Sequence, residues 1–235
     1  MKKLSDHIVI IRFKVNKTIA SGHMDNAINF YNFFKEKFNY DVFLVLNSDE
    51  NYFEHFIIDQ KLNFIHEKNL SKLLDKIESK NYKYKTFMND TLRTSVNLAS
   101  KLKKLNYKII LCEEYSSSTN HADLVLNPIY KKSTSHSYEY NGPEYFLLRD
   151  EFIKEMSKIK KSHKQPFLIT FGGVDKTFIS ERIYNYLKDT DYNFYLLKPK
   201  FRDLSIKNLN DKRIILDSDI INEHSSQVKP FPFEF

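Results

Sequence analysis

The sequence is poor in cysteine and glycine and contains no tryptophan. Cys112 is the only cysteine among 235 residues, which excludes an internal disulfide and a cysteine-based metal cluster. Because Cys112 lies within the apolar segment "KIILCEEY", we expect a reduced thiol in a buried strand. Only four apolar residues separate His7 from Arg12. That run is too short for a signal peptide or a membrane span, so a cytoplasmic location is expected.

Charge and hydropathy restrict the class of protein further. Hydrophobic residues make up 41% of the chain, which is too apolar for an intrinsically disordered protein. The formal net charge is +7, but the lysines are dispersed along the chain. This dispersal favours a solvated surface over nucleic-acid recognition, and no nucleic-acid partner is expected. The alternatives are an anionic ligand and a weak association with an acidic membrane face.

Short β-branched segments alternate with longer segments of helical periodicity. Continuous apolar runs such as Ile8–Ile11 are typical of strands covered on both faces, as in a parallel sheet. Strand–helix–strand repeats predict right-handed crossovers and an α/β fold. The predicted strands are 7–13, 41–47, 63–66, 84–90, 108–114, 122–127, 166–173, 193–199 and 213–218.

Predicted helices between these strands carry apolar stripes at helical spacing. The stripes are Ala27, Ile28, Tyr31 and Phe34; Leu70, Leu73, Leu74 and Ile77; Val96, Leu98, Ala99, Leu102 and Leu105; and Ile179, Ile183, Tyr186 and Leu187. The alternation breaks between 127 and 164, a polar and aromatic-rich stretch. We therefore predict one α/β unit over 1–140 and a shorter one over 163–235, joined by a linker and connecting helix over 141–162.

The scarcity of glycine draws attention to the places where it occurs. The glycines are Gly22, Gly142, Gly172 and Gly173. Each is expected to mark a backbone conformation or a close approach that other residues do not allow. Gly22 and the Gly172-Gly173 pair lie between a predicted strand and a predicted helix, which is where open α/β sheets bind ligands.

His23 follows the first of these glycines in the segment "ASGHMDNA". The N–H groups and dipole at a helix N-terminus suit a phosphate or carboxylate, which makes the junction at Gly22 a candidate anion site. A histidine here can act as a general base toward water. The alternative is an exposed loop histidine beside a glycine that serves only the turn. The spacing matches neither a dinucleotide fingerprint nor a P-loop.

Two acids occupy comparable positions at strand ends. Asp175 follows Gly172-Gly173, and either Asp175 or Thr177 is a candidate cap for the next helix. The glycine pair allows a phosphate or ribose to approach the main chain, and the alternative is a plain strand-to-helix turn. Asp90, in "MNDTLRTS", either orients a sugar hydroxyl or a catalytic histidine, or caps the helix after it; capping is the commoner role. The histidines show no metal-ligand spacing, and no G-x-S-x-G elbow occurs.

Taken in order, four segments resemble those of a known family. "SGHMDNAINFYNFF" is similar to its "G-x-G-H" loop and helix, and "NGPEYFLLRDEF" to its "GPxYxLLRxEF" segment. The stretch from "NDTLRTS" to "ADLVLNPIY" resembles its aspartate, helix, acidic loop and "ADLVLN" block, and "LITFGGVD" its "SFGGSD" loop. The family is the UDP-2,4-diacetamido-2,4,6-trideoxy-β-L-altropyranose hydrolases of pseudaminic-acid biosynthesis, with related spore-coat polysaccharide proteins. The resemblance extends over about residues 5–220.

The resemblance implies a glycosyltransferase-B-type fold, with two Rossmann-like lobes and a UDP-sugar in the cleft between them. It implies hydrolysis of the bond between the anomeric carbon and the phosphate oxygen, with no metal or other cofactor. His23 matches the histidine that activates water, with Asp90 as a supporting acid. The implied substrate- and nucleotide-binding residues are Ser21, Gly22, Asn127, Tyr145, Gly172, Gly173 and Asp175.

The chain also departs from the family pattern. Ala20 stands where the histidine loop has its first glycine, and Asn26 stands where an arginine follows the histidine. The later "GGST-x-x-E" motif, which opens the UDP-binding helix of the second lobe, does not occur, so an incomplete second lobe is expected. These departures leave two alternatives: a non-catalytic or degenerate member that binds a sugar nucleotide, and a glycosyltransferase of the same architecture.

Overall fold

A computed structural model of the chain describes residues 5–16, 22–48, 54–59, 61–129, 137–147, 167–171, 175, 177–197 and 214–215. These residues fall into two compact units, the first ending at 147 and the second described from 167 onward. The first unit therefore extends past the boundary predicted at 140. The remainder of the predicted linker, including its helix near 150–161, lies outside the described residues.

The first unit is an α/β layer structure built on one parallel sheet. Its strands are β1 (His7–Lys14), β2 (Asp41–Asn47), β3 (Phe64–His66), β4 (Tyr84–Asp90), β5 (Tyr107–Cys112), β6 (Leu124–Asn127) and β7 (Glu139–Asn141). Its α-helices are α1 (Gly22–Phe38), α2 (Glu54–Asp59), α3 (Leu70–Glu78) and α4 (Val96–Lys104), and 3-10 helices span Glu67–Asn69, Ser117–His121 and Pro143–Tyr145. The strand order is β3-β2-β1-β4-β5-β6-β7. This Rossmann-like arrangement confirms the predicted α/β class.

The central strands of this sheet are covered on both faces. β1 is buried from Ile8 to Phe13, as its continuous apolar run predicts. The stripe Leu70, Leu73, Leu74 and Ile77 of α3 packs with Ala99 and Leu102 of α4 in one core cluster. Ala27, Ile28 and Tyr31 of α1 are also buried. The predicted stripes of these three helices are thus confirmed, although Val96 is exposed.

The strand register brings the carboxyl ends of β1 and β4 to the same edge of the sheet. Phe13 of β1 pairs with Asp90 of β4 and with Leu46 of β2. Asp90 therefore lies beside the end of the strand that precedes α1.

Two details of the first unit differ from prediction. β5 ends at Cys112 rather than at 114, because Glu113 adopts a left-handed conformation with φ 54° that a strand does not accommodate. β7 was not predicted. It pairs with β6 through Val125–Asn127, and a three-residue edge strand held by backbone hydrogen bonds has no apolar alternation to reveal it.

The second unit contains β8 (Phe167–Ile169), α5 (Ile179–Leu187), β9 (Phe194–Leu197) and β10 (Ile214–Ile215). Its parallel strands lie in the order β10-β9-β8, within the predicted strand segments but shorter. The predicted stripe of α5 is wrong at Tyr186, which is 80% exposed, whereas Tyr184 is 4% exposed. Ser180, Tyr184 and Leu187 form the buried face, since positions i, i+4 and i+7 share one side of a helix.

In the described part of the chain, no helix combines the length and the apolar character needed to cross a membrane.

Candidate functional site

His23 and Asp90 meet at the carboxyl edge of the first sheet. His23 is the second residue of α1, and Asp90 is the last residue of β4. The Nδ1 atom of His23 lies 2.7 Å from Oδ1 of Asp90, and the two side chains are only 11% and 2% exposed. The alternative of an exposed loop histidine is therefore wrong. The two residues predicted to be catalytic are in direct contact.

The carboxylate of Asp90 forms its hydrogen bonds with side chains rather than with the N–H groups of a helix end. Besides His23, it accepts a hydrogen bond of 3.4 Å from Nδ2 of Asn26. Helix α4 begins only at Val96, with Ser95 at its N-cap position. The prediction that Asp90 caps the following helix is therefore wrong, because the loop of 91–95 separates it from the first turn.

The surroundings of His23 make it a stronger base than an isolated histidine. Burial lowers its pKa, but the hydrogen bond and negative charge of Asp90, with the charge of Glu113, outweigh burial and raise the pKa above 6.5. In the neutral tautomer that donates Nδ1–H to Asp90, the lone pair is on Nε2. This arrangement suits proton abstraction from a water molecule.

Glu113 is an acid of this site that the sequence analysis did not select. Burial and the nearby charge of Asp90 raise the pKa of Glu113, while His23 opposes this increase. Its left-handed backbone, φ 54°, is the kind of local strain that tends to occur at functional sites. The available signal was its position, since it is an acid directly after a buried strand.

Burial and the negative charges of Asp90 and Glu113 raise the pKa of the Cys112 thiol well above its usual value. The thiol therefore stays protonated and unreactive. This agrees with the prediction of a reduced cysteine in a buried strand, since Cys112 is free and buried at the end of β5.

A small pocket opens beside the His23–Asp90 pair. Asn26, Asp90 and Glu113 supply its polar lining, and Tyr145 lies on its wall with apolar residues that include Phe30 and Leu126. Its volume of about 30 Å³ is enough for a water molecule. The predicted binding residue Tyr145 thus lines the same pocket as Asp90.

Asn127 ends β6 at the same edge of the sheet. It is buried, and its backbone carbonyl accepts a hydrogen bond of 3.1 Å from the N–H of Gly142. Its side-chain Oδ1 has no hydrogen-bond partner among the described atoms, and the same is true of Oε2 of the buried Glu114. Unsatisfied buried acceptors are uncommon in proteins. The Oδ1 atom of Asn127 can therefore accept a hydrogen bond from a ligand or a water molecule.

A largely buried network of polar side chains holds the carboxyl end of β4. Arg12 of β1 donates through Nη1 to Asn89 at 2.7 Å and to Thr91 at 3.0 Å. Its Nε and Nη2 atoms donate to Oε1 of Glu67 at 3.0 and 2.6 Å. Asn89 in turn donates to Thr94 at 2.8 Å. This network joins two strands to the loop after Asp90.

The loop held by this network contains a residue with a strained backbone, as Glu113 has after β5. Leu92 adopts φ 65°, which is unfavourable for a leucine, and the Thr91 hydroxyl donates to the carbonyl oxygen of Arg93 at 2.9 Å. The sequence analysis missed Arg12 because its partners in this network are far from it in the sequence. We assign Arg12 as a residue that positions the Asp90 loop.

Gly22 was predicted to serve a close approach or a special backbone conformation, and among the described residues neither is seen. Gly22 is the first residue of α1, and a Cβ added there would meet no described atom within 4 Å. Gly142 does fit the expectation: its φ is 129°, and a Cβ would lie 2.5 Å from the Glu144 carboxylate. The predicted binding residues Ser21, Gly172 and Gly173 lie outside the described residues.

Asp175 caps α5 through its side chain. Its Oδ1 accepts the N–H of Ile179 at 3.0 Å, and its Oδ2 accepts the N–H of Ser180 at 2.9 Å. This confirms Asp175, rather than Thr177, as the predicted cap of the helix. A role of Asp175 in nucleotide binding stays a prediction.

The described residues hold no cluster of three or more His, Cys, Asp or Glu side chains that could bind a metal ion. The chain matches no family model, no curated protein and no solved structure. Support for a function therefore comes from the geometry of this site and from the resemblance of its segments.

Proposed function

We propose that the protein is a sugar-nucleotide hydrolase that releases UDP from a UDP-diacetamido-trideoxyhexose, in the biosynthesis of pseudaminic acid or a related surface polysaccharide. The observation that carries this proposal is the buried contact between His23 Nδ1 and Asp90 Oδ1 at the carboxyl edge of a parallel sheet. The four resembling segments supply the substrate class. The wider architecture proposed is of the glycosyltransferase-B type, with Gly172, Gly173 and Asp175 on the nucleotide side.

In the proposed reaction, Asp90 holds Nδ1–H of His23 so that Nε2 faces the attacking water. Nε2 accepts a proton as the water oxygen forms a bond to the anomeric carbon. The bond from that carbon to the phosphate oxygen breaks, and its electron pair leaves with UDP. The charges of Asp90 and Glu113 stabilise the resulting imidazolium and suit the positive charge that develops on the sugar.

Release of UDP from the UDP-sugar by the purified protein tests this proposal. We expect His23→Ala to lower the rate by about 10²–10⁴-fold, the usual contribution of a general base. His121→Ala, outside the pocket, is the matched control and should leave the rate unchanged. No release by the wild type, or equal release by His23→Ala, would refute hydrolysis by this site.

The pH dependence of the reaction has a definite sign. Because the base must be neutral, kcat/KM should rise with pH and level off above the pKa of His23, which lies above 6.5. A pH–rate profile measured with the UDP-sugar checks this. A rate that falls as the pH rises through this range would exclude His23 as the base.

One observation favours a second candidate, a non-catalytic protein that binds a sugar nucleotide. Asn26 replaces an expected arginine and directs its amide toward Asp90 at 3.4 Å, so it supplies no cation for a phosphate. Thermal-shift titration with UDP and UDP-sugars separates the two candidates. Stabilisation without turnover supports the binder, and UDP release that requires an added acceptor indicates a glycosyltransferase.

A further inference from the structure

A second concave surface on the first unit shares no lining residue with the His23–Asp90 pocket. It is a groove of about 280 Å³ between α3 and the strands β1, β2 and β3. Its lining includes the apolar side chains Ile8, Phe43, Ile65, Leu73 and Ile77. Phe43 and Ile65 are only half-buried, so part of this apolar floor is open to water.

Lysines border this groove in a regular row. Lys72, Lys76 and Lys80 line it, and Lys68 continues the four-residue spacing toward the N-terminus. Lys72 and Lys76 are neighbours on α3, because side chains four residues apart share one side of a helix. Lys68 lies in the 3-10 helix before α3, and Lys80 lies just after its end. All four lysines are exposed. We call them the lysine row.

Few acidic groups neutralise the lysine row. Within the described part of the chain, none of its ammonium groups lies within 4 Å of a carboxylate. Glu67 is paired with Arg12 at 2.6 Å, and Glu78 with Lys85 at 2.8 Å. Asp41 accepts a hydrogen bond from the Tyr82 hydroxyl at 2.8 Å. Asp75 is the remaining acid of α3, and it does not line the groove.

An apolar floor beside an unneutralised cationic row fits a ligand with one apolar part and one anionic part. A free phosphate or nucleotide would leave the floor uncovered, and a neutral hydrophobic ligand would leave the lysines without a partner. We propose that this groove docks the first unit on an acidic membrane surface, with a phospholipid acyl chain on the floor and anionic headgroups on the lysine row. Such a site is independent of the proposed hydrolase activity.

Co-sedimentation of the full chain with vesicles tests the docking site. The protein should bind vesicles of phosphatidylcholine mixed with phosphatidylglycerol, and binding should weaken as salt screens the lysines. Vesicles of phosphatidylcholine alone should not retain it. Failure to bind the acidic vesicles would overturn the proposal.

Matched charge variants separate a localised site from the net charge of the chain. Lys72→Gln with Lys76→Gln should weaken binding to acidic vesicles by about 30-fold, since each lysine near an anionic surface contributes about a factor of five. Lys101→Gln with Lys104→Gln, in the last turn of α4, removes the same charge away from the groove. An equal loss in both double variants would overturn the assignment to this groove.

A further variant tests the acyl chain separately from the charges. Asn69 lines the groove, and its side chain makes no capping hydrogen bond to α3, so Asn69→Phe fills the space while keeping every lysine. We expect severalfold weaker binding to acidic vesicles, with the circular dichroism spectrum unchanged. Binding equal to that of the wild type would show that no acyl chain enters the groove and would overturn that part of the proposal.

Discussion

Asp90 and Asp175 are both buried acids between a parallel strand and a helix, Asp90 as the last residue of β4 and Asp175 after β8, yet they have different partners. Asp90 contacts His23, 67 residues away in the chain. Asp175 accepts backbone N–H groups four and five residues after it. The distance to the next helix explains the difference, since α4 begins six residues after Asp90 and α5 four residues after Asp175. An acid close to the start of a helix caps it by accepting backbone N–H groups. An acid farther from the helix can instead contact side chains that the sheet brings close to it.

After His23→Ala, the largest effect is expected from Asp90→Asn. An asparagine amide donates to Nδ1 and thereby favours the tautomer that carries its proton on Nε2, which cannot accept one from water. We expect UDP release to fall by about 10²–10⁴-fold, nearly as far as in His23→Ala. The double variant should be no slower than His23→Ala alone, because the two residues act as a unit.

The same variant should lower the pKa of His23, because burial remains while the opposing carboxylate charge is lost. Histidine ring signals followed by NMR against pH measure this directly. The raised pKa of the wild type also implies that His23 stabilises the fold below pH 6.5, and that this contribution is lost as the pH rises through the folded-state value. A His23 pKa unchanged by Asp90→Asn would contradict the electrostatic account, and Asp75→Asn is the control.

The next largest effect is expected on stability at the end of β4. Arg12→Met removes the guanidinium that joins Glu67, Asn89 and Thr91 and leaves Oδ1 of the buried Asn89 without its donor. The free energy of unfolding, measured with urea, should fall by about 2 kcal/mol, within the range for losing hydrogen bonds from a charged group to a buried acceptor.

Lys108→Met is the control for that measurement. It removes an ion pair of 3.1 Å to Asp123 whose lysine side chain is 76% exposed, and it should cost less than about 1 kcal/mol. A cost for Arg12→Met as small as that of the control would show that the network does not hold the Asp90 loop.

A smaller loss is expected at the other strand end. Asp175→Ala leaves the N–H groups of Ile179 and Ser180 without their acceptors and should destabilise α5 by about 1 kcal/mol. Asp175→Ser can still cap and should restore most of this, as read from hydrogen exchange in α5. If Asp175→Ser keeps the stability but loses affinity for UDP, the Asp175 carboxylate binds the nucleotide as well as capping the helix. Both acids would then act in the functional site.

The parts of this molecule that could be predicted are those with a local signal. Except for β7, the strands of the first unit have apolar segments that identify them. His23 and Asp90 lie near the ends of two such segments, so their positions at strand ends were predicted although their contact was not. Arg12 could not be found this way because its partners are 55, 77 and 79 residues away. Glu113 was missed because its left-handed backbone, which ends β5 early, has no sequence signature in a glutamate.

The smallest structural effect should come from Gly22→Ala, which tests why glycine begins α1. A methyl group there meets no described atom within 4 Å, and alanine is the better helix former. The free energy of unfolding should therefore rise by about 0.5 kcal/mol. If the backbone N–H groups at this helix start receive a phosphate, the same methyl group obstructs the ligand, and KM for the UDP-sugar should rise while stability improves. A variant that is more stable and equally active would show that the substrate does not approach Gly22, and would place phosphate recognition elsewhere in the chain.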